Sequence, residues 1–181
     1  MDIYKNSIWI KYKTFSQLEN IYNFISEWHA ILDNKKIEDL KKIECYKDEE
    51  YGEYYTLLAE RYNHLYAHFF ITIYSALEYD LCCLIGINKY DYDKFCNLLN
   101  TKGILEEKLK NKKQVNFLRL ICNAYKHNGG LYTPQLLKIQ PEKVLNDEIQ
   151  YSELNILEQY CLSYEYLCDV YFKFKNQSFI K

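Results

Sequence analysis

Residues 53–84 decide the fold: they read EYYTLLAERYNHLYAHFFITIYSALEYDLCCL and contain neither proline nor glycine. Apolar residues recur along this stretch every three or four positions, the spacing of one face of an α-helix. At 1.5 Å per residue, a helix of this length spans roughly 50 Å. Its second half is apolar nearly all round. The pattern therefore predicts a long, buried central helix that ends at residues 86–88, where a glycine and an asparagine interrupt it.

Shorter helices are expected around this central one. A capping pattern at residues 14–17 predicts the start of a first helix, which we expect to end at Asp33-Asn34. Further helical segments are predicted at residues 37–43, 92–99, 104–110, 114–128 and 152–175. Together these elements predict an all-α protein, a bundle of about five helices that forms a single domain over residues 1–181.

The helix predicted at residues 114–128 has a clear stop signal. Gly129 and Gly130 follow it directly, and glycine readily takes the left-handed conformation that closes a helix C-terminus. Both prolines of the chain fall in the next segment, residues 131–150, which we expect to be irregular.

Charge and composition exclude several classes of protein. The chain carries 23 basic and 25 acidic residues, a net charge of −2 at pH 7, so no general field attracts it to nucleic acid or a membrane. RNA binding would need a local positive patch. The seven cysteines include no Cys-x-x-Cys pair, and residues 69–87, the most apolar stretch, are interrupted by polar side chains. We expect a soluble cytoplasmic protein that does not contact a membrane.

The most informative polar pattern lies in residues 119–130, RLICNAYKHNGG. Arg119, Asn123 and His127 follow each other at four-residue steps and so share one stripe of a helix, with Lys126 beside the histidine. An imidazole can move the proton of a ribose 2′-hydroxyl or of the leaving oxygen, and a cation can stabilise the charged transition state. These residues can therefore support metal-independent phosphodiester cleavage. Alternatively, Arg119 is a solvated surface charge and His127 merely finishes the helix.

Residues 118–130, LRLICNAYKHNGG, resemble the signature end of the HEPN domains (higher eukaryotes and prokaryotes nucleotide-binding). The family motif is an arginine followed, after four to six residues, by a histidine. The long apolar helix with its embedded Glu78 also resembles a helix of that family. The resemblance implies an all-α bundle that forms a homodimer. It further implies RNA cleavage or RNA binding in a bacterial defence or toxin–antitoxin setting, with an antitoxin or another protein as partner.

The resemblance assigns roles to the residues of this stripe. His127 is implied as the general acid/base, Asn123 as the residue that orients it, and Arg119 or Lys126 as the phosphate ligand, with no metal or cofactor. Cys122, however, stands where the motif has its arginine, and Arg119 lies one turn earlier. The alternative is a non-catalytic HEPN-like module that binds a protein partner or a nucleotide.

The exposure of His127 separates these two hypotheses. Cleavage requires His127 in an open cleft with a cation within about 6 Å, because a general acid must reach its substrate. A buried His127 that is hydrogen-bonded to a backbone carbonyl would favour the non-catalytic module.

A second cluster, Arg61, His64 and His68, lies in the first half of the long helix. We consider these residues as substrate ligands in case this face meets the His127 end of the other helix. Alternatively, they form only a polar face of the long helix. His64 and His68 also have the four-residue spacing of zinc ligands, but no third ligand lies nearby in the sequence, so we expect no metal there.

Two carboxylates, Glu78 and Asp80, fall in the most apolar part of the chain. A buried carboxylate needs a partner, and Lys126 or Arg119 could supply it, which would join the long helix to the motif helix. Alternatively, both carboxylates face solvent at the edge of a dimer.

Overall fold

The computed structural model describes residues 17–44 and 48–176, and this part of the chain is helical with no β-strand. The predicted all-α class is confirmed. The helices, in chain order, are α1 (Gln17–Ile43), α2 (Asp48–Ile85), α3 (Tyr92–Thr101), α4 (Lys112–Asn128), α5 (Pro134–Leu137) and α6 (Ile156–Asn176). Two 3₁₀ turns, Glu106–Lys108 and Tyr151–Glu153, complete the set.

Helix α2 is the central element that residues 53–84 predict, and it starts slightly earlier. Its 38 residues span roughly 57 Å, and it packs against α1, α4 and α6. Phe70, Ile73 and Leu77 in its second half are fully buried. The helix ends at the predicted position, where Gly86 has a positive φ of 75° and its N–H donates to the Cys82 carbonyl at 2.9 Å.

Helix α1 continues through the Asp-Asn pair where the sequence predicts its end, and it includes the segment predicted separately at residues 37–43. That predicted boundary was wrong because acidic residues here contact α2. The Asp33 carboxylate accepts a hydrogen bond from the Tyr66 hydroxyl, and Asp39 accepts one from the Tyr62 hydroxyl at 2.9 Å. These bonds between helices outweigh the weak helix preference of aspartate and asparagine. Helix α1 therefore lies antiparallel along α2.

Asp80 has a role that neither sequence hypothesis foresaw. Its side chain is buried, and its two carboxylate oxygens accept hydrogen bonds from the backbone N–H groups of Gln17 at 2.7 Å and Leu18 at 3.0 Å. A carboxylate from α2 thus caps the first turn of α1, where unpaired N–H groups and the helix dipole favour a negative charge. The capping pattern predicted at residues 14–17 lies almost wholly outside the described residues.

Helix α4 ends as the sequence predicts, and the segment after it is largely irregular. Gly129 takes the left-handed conformation with φ 61°, and the N–H of Gly130 donates to the Ala124 carbonyl at 3.1 Å. Beyond it, residues 131–150 contain the four-residue helix α5 and one isolated antiparallel bridge between Leu131 and Glu148.

Two other predicted helices are shorter than expected. The helix predicted at residues 104–110 is only a single 3₁₀ turn. The last helix begins at Ile156, because the Asn155 side chain accepts a hydrogen bond from the Glu158 N–H at 3.0 Å and so caps it there.

Buried tyrosines fill much of the core and bond through their hydroxyls to the backbone of other helices. Tyr151 donates to the Ile121 carbonyl at 2.8 Å, and Tyr160 donates to the Leu18 carbonyl at 3.0 Å. Such bonds satisfy the polar tip of an aromatic ring that is otherwise packed as a hydrophobe. They join α4 and α1 to the segment that ends in α6.

Helix α2 also has the length and apolar composition that a membrane span requires. The qualifying region covers residues 50–85, and 44% of its most apolar window is buried inside the protein. The core helix of a soluble bundle meets the same test, so composition alone does not assign this helix to a membrane.

Candidate functional site

His127 lies in the last turn of α4 with its ring open to solvent. Within the described residues its imidazole makes no hydrogen bond, so neither ring nitrogen is engaged by another protein group. His127 therefore has the exposure that the cleavage hypothesis requires. It is not buried against a backbone carbonyl, the arrangement that would favour the non-catalytic module.

Two other predicted residues lie close to His127 on α4. Lys126, which directly precedes His127 in the chain, is exposed and is basic like His127 itself. Asn123 is one turn earlier and half-buried, but no hydrogen bond joins it to His127. The predicted orientation of His127 by Asn123 is thus not formed within this chain.

Arg119 is held on the side of α4 that faces α3. Its guanidinium donates two hydrogen bonds to the Asn116 side-chain oxygen, at 2.9 and 3.3 Å, and lies 4.6 Å from the centre of the Tyr92 ring. Eight residues of helix separate it from His127, an axial rise of about 12 Å. Arg119 is therefore packed by a cation–π contact, away from His127.

Cys122 occupies the place of the family's arginine, and it is fully buried. Burial raises the pKa of its thiol, which keeps it neutral. A side chain at this position points into the core, so an arginine here could not reach a phosphate at the surface without leaving the core.

Glu78 connects the long helix to the motif helix through charge. Burial raises the pKa of its carboxyl group, while a hydrogen bond from Tyr74 and the positive charges of Lys126 and Arg119 act in the opposite direction. The two cations therefore lie near enough to act on Glu78, in line with one of the two sequence hypotheses.

The second predicted cluster meets α4 at Tyr125. His64 Nδ1 lies 3.2 Å from the Tyr125 hydroxyl, and the rings of His64 and His68 both lie edge-on to the Tyr125 ring, at centroid distances of 5.8 and 5.5 Å. Arg61, one turn earlier on α2, is exposed. Positions 125 and 127 point about 200° apart around a helix, so this cluster lies on the other side of α4 from His127.

No metal centre is found in the part of the chain that the structure describes: no three His, Cys, Asp or Glu side chains converge there. His68 Nδ1 instead lies 2.8 Å from the backbone carbonyl of His64, four residues earlier. That contact engages the Nδ1 atom of His68, one of the two histidines considered as zinc ligands.

A hollow of about 420 Å³ lies beside the end of α4, and sequence reasoning missed it. His127 itself does not line it, but the next residue in the chain, Asn128, forms part of its wall. The lining residues come from the end of α4 and the irregular segment: Asn128, Leu131, Tyr132, Thr133, Pro134, Gln135 and Asn146. The position of Asn128 next to His127 was visible in the sequence, but the approach of Asn146 was not.

An apolar groove of about 400 Å³ runs between α1 and α2 on another part of the surface. Trp28 is 52% exposed and Ile31 55% exposed, which is unusual for side chains of this size. The groove is lined by Phe24, Trp28, Ile31, Leu32, Lys35, Leu65, His68, Phe69 and Thr72. We call it the α1–α2 groove.

Comparisons of this chain with protein-family models, with curated proteins and with solved structures found no match. The assignment of roles to His127, Asn123, Arg119 and Lys126 therefore stays a prediction, based on their chemistry and on the resemblance of residues 118–130 to the HEPN motif.

Proposed function

We propose that this protein binds RNA at the C-terminal end of α4 and cleaves it without a metal ion, with His127 as the general acid/base. The observation that supports this most directly is the open imidazole of His127, which is free of hydrogen bonds within the described residues and has the exposed Lys126 beside it. The resemblance to HEPN domains supports a bacterial defence or toxin–antitoxin setting in the cytoplasm, with an antitoxin or another protein as partner.

The chemistry needs only side chains that this surface offers. The imidazole accepts the proton of a ribose 2′-hydroxyl as that oxygen attacks the adjacent phosphorus, or donates a proton to the 5′-oxygen that leaves. The C-terminus of α4 carries a partial negative charge, which disfavours a phosphate there. A cation is therefore needed, and Lys126 is the residue best placed to supply it.

The packing of Arg119 helps to choose between Arg119 and Lys126 as the phosphate ligand. Because its guanidinium is held by Asn116 and Tyr92, Arg119 stabilises the contact between α4 and α3 in this conformation. We therefore propose Lys126 as the first phosphate ligand, and Arg119 as a ligand only for a longer stretch of RNA that follows α4 toward α3.

The test is incubation of the purified protein with mixed tRNA and mRNA in EDTA, alongside His127→Ala and a control, Lys113→Ala, at an exposed site near the other end of α4. Loss of a general acid/base lowers a cleavage rate by about 10²- to 10⁴-fold. We expect that loss in His127→Ala only. Equal cleavage by all three proteins, or no cleavage by wild type on any RNA, would contradict the proposal.

A second candidate function is a non-catalytic module that binds a protein partner or a nucleotide, and the α1–α2 groove favours the protein partner. Contiguous exposed apolar surface of this kind marks interaction sites. The predicted homodimer gives the groove an occupant, a second copy of this chain. Sedimentation of wild type over a range of concentrations tests whether a second copy occupies the groove. A monomer at every concentration would exclude that occupant.

A further inference from the structure

The hollow beside His127 has a chemistry of its own. Three of its lining residues, Asn128, Gln135 and Asn146, carry carboxamides, and all three are exposed. Within the described residues, none of these side chains makes a hydrogen bond. Each carboxamide offers both a donor and an acceptor, so the three together present several unused hydrogen-bonding groups to one small volume.

The backbone around the hollow holds it open. The N–H of Tyr132 donates to the Asp147 carbonyl at 2.8 Å, and the N–H of Asn146 donates back to the Tyr132 carbonyl at 3.1 Å. The Ile149 N–H donates to the Gly130 carbonyl at 2.8 Å. These bonds fix the segment that carries Asn146 against the segment that follows α4. The hollow is thus formed before any ligand enters, as binding sites usually are.

The remaining lining groups suit a flat, uncharged ligand. Leu131 and Pro134 supply apolar surface, and no lining residue carries a charge. A phosphate would need cations, and a carboxylate ligand likewise, so the hollow does not match either anion. Proteins hold unpaired bases of RNA by stacking on flat side chains such as aromatic rings and by hydrogen bonds to the base edges. The hollow offers Tyr132 and the carboxamides for these two kinds of contact.

We infer that this hollow binds a nucleobase, and that the base is adenine. In the major groove of a duplex, asparagine and glutamine pair with the donor and acceptor of an adenine edge, whereas guanine is usually read by arginine or lysine and cytosine by aspartate or glutamate. Uracil also carries a donor and an acceptor on one edge, so it is the competing base in the test. The inference rests on the proposed function, because Asn128 directly follows His127. A base in the hollow would bring its own ribose and phosphate to the imidazole, so cleavage should occur next to adenines.

The first experiment measures the binding of short labelled oligoadenylate and oligouridylate by fluorescence anisotropy, on a His127→Ala background that prevents cleavage. Gln135→Ala and Asn128→Ala each remove one carboxamide from the hollow. The matched control is Gln114→Ala, which removes an exposed carboxamide at the start of α4.

We expect oligoadenylate to bind more tightly than oligouridylate. Gln135→Ala and Asn128→Ala should each weaken oligoadenylate binding by roughly tenfold, the usual effect of losing a side-chain contact to a base edge. Gln114→Ala should leave binding unchanged. Equal affinity for the two RNAs, or full oligoadenylate affinity in both hollow variants, would overturn the inference.

Two further measurements separate this inference from the proposed function. Calorimetry with adenosine monophosphate tells whether the hollow binds adenine from a free nucleotide or only as part of RNA. Binding of either ligand supports the inference, provided that Gln135→Ala weakens it. Mapping of wild-type cleavage products tests the link to His127. Cleavage without base preference refutes the hollow and leaves the ribonuclease standing, whereas adenine binding without any cleavage supports the hollow and refutes the ribonuclease.

Discussion

The α1–α2 groove and the end of α4 are two exposed regions of one small bundle, and their chemistry is opposite. The groove has apolar walls, with Trp28 and Ile31 more than half exposed. The end of α4 offers an imidazole and an ammonium group, and beside it lies a preformed hollow with one carboxamide from α4 and two from the segment that follows. Apolar surface is matched by another protein surface, whereas directional polar groups select a ligand with its own donors and acceptors.

The two regions nevertheless share a connection. His68 lines the α1–α2 groove, and its ring also lies edge-on to Tyr125 of α4, two residues before His127. A partner that covered the groove would therefore contact a side chain that packs on the motif helix. The proposed assembly surface and the proposed RNA site are therefore separate surfaces, connected through the contact between His68 and Tyr125.

The largest expected effect is on assembly. If the groove joins two copies of this chain as proposed, Trp28→Glu places a charge on its wall and removes an aromatic anchor, so we expect the dissociation constant of that dimer to rise about thirtyfold or more. Leu105→Glu, at a similarly exposed leucine outside the groove, is the control. Sedimentation equilibrium measures both. The assignment of assembly to the groove would be contradicted if Leu105→Glu raised the dimer dissociation constant as much as Trp28→Glu. It would also be contradicted if Trp28→Glu changed RNA affinity while the protein remained dimeric.

The next effect is on the stability of the protein through α1, the helix that forms one wall of the groove. Asp80→Ala removes the buried carboxylate that caps α1, and we expect the free energy of unfolding to fall by about 2 kcal/mol. Asp91→Ala removes an exposed cap, a side-chain bond to the Lys94 N–H at 3.0 Å, and should lower it by about 1 kcal/mol or less. Urea denaturation compares the two variants.

Hydrogen exchange then locates the effect of Asp80→Ala. The first turns of α1 should lose protection while the last turn of α4 keeps it, because the cap holds α1 alone. Equal loss of protection in α1 and in the last turn of α4 would mean that the cap stabilises both helices and not α1 alone.

A smaller effect is expected for the cation beside His127. Lys126→Ala should weaken RNA binding roughly fivefold and reduce the slope of log affinity against log salt by about 0.7, the value for one phosphate contact on a single strand. Lys113→Ala, the charge-matched control on the same helix, should change neither quantity. Anisotropy titrations at several salt concentrations make the measurement, and identical slopes for wild type and Lys126→Ala would remove Lys126 from the site.

The smallest effect concerns pH and the contact between α1 and α2. Hydrogen bonds from Lys35 and then from Tyr62 lower the pKa of Asp39 from 3.8 to about 2. Because the folded pKa is the lower one, this stabilisation is present above the ordinary pKa of 3.8 and is lost as the pH falls through about 2. Asp39→Asn should therefore lower stability slightly at pH 7 and have no effect well below pH 2.

Solvent keeps the contribution of Asp39 small, because the ion pair lies at the surface. Glu38→Gln, a neighbouring carboxylate 3.6 Å from the same lysine, is the control and should have less effect than Asp39→Asn at pH 7. Thermal denaturation at the two pH values measures the difference. A loss of stability in Asp39→Asn that persisted well below pH 2 would assign the contact to packing rather than charge.

Much of the fold was predictable because it depends on local patterns. The apolar spacing of residues 53–84 predicted α2, and Gly129 predicted the end of α4. The end of α1 was not predictable, since Asp33 and Asp39 continue the helix only because the tyrosine hydroxyls of α2 donate hydrogen bonds to their carboxylates. The capping role of Asp80 likewise depends on a helix more than sixty residues away.

The candidate site shows the same division. The stripe of Arg119, Asn123 and His127 follows from helix spacing, but spacing does not tell which of its members are already engaged. The structure commits Arg119 to Tyr92 of α3 and leaves His127 open. Asn146 joins the hollow only because hydrogen bonds across the irregular segment bring it next to Tyr132.

The sequence by itself determined the all-α class, the central helix, the stop of α4 and the set of polar side chains near His127. These features depend on residue type and on periods of three to four residues, which act over one or two helical turns. The tertiary structure alone decided which polar groups are satisfied and which remain open: Asp80 is used to cap α1, Arg119 is packed on an aromatic ring, and three carboxamides are left around a hollow beside His127. These outcomes depend on contacts between residues far apart in the chain, because a side chain's partner is set by the packing of the helices that carry it.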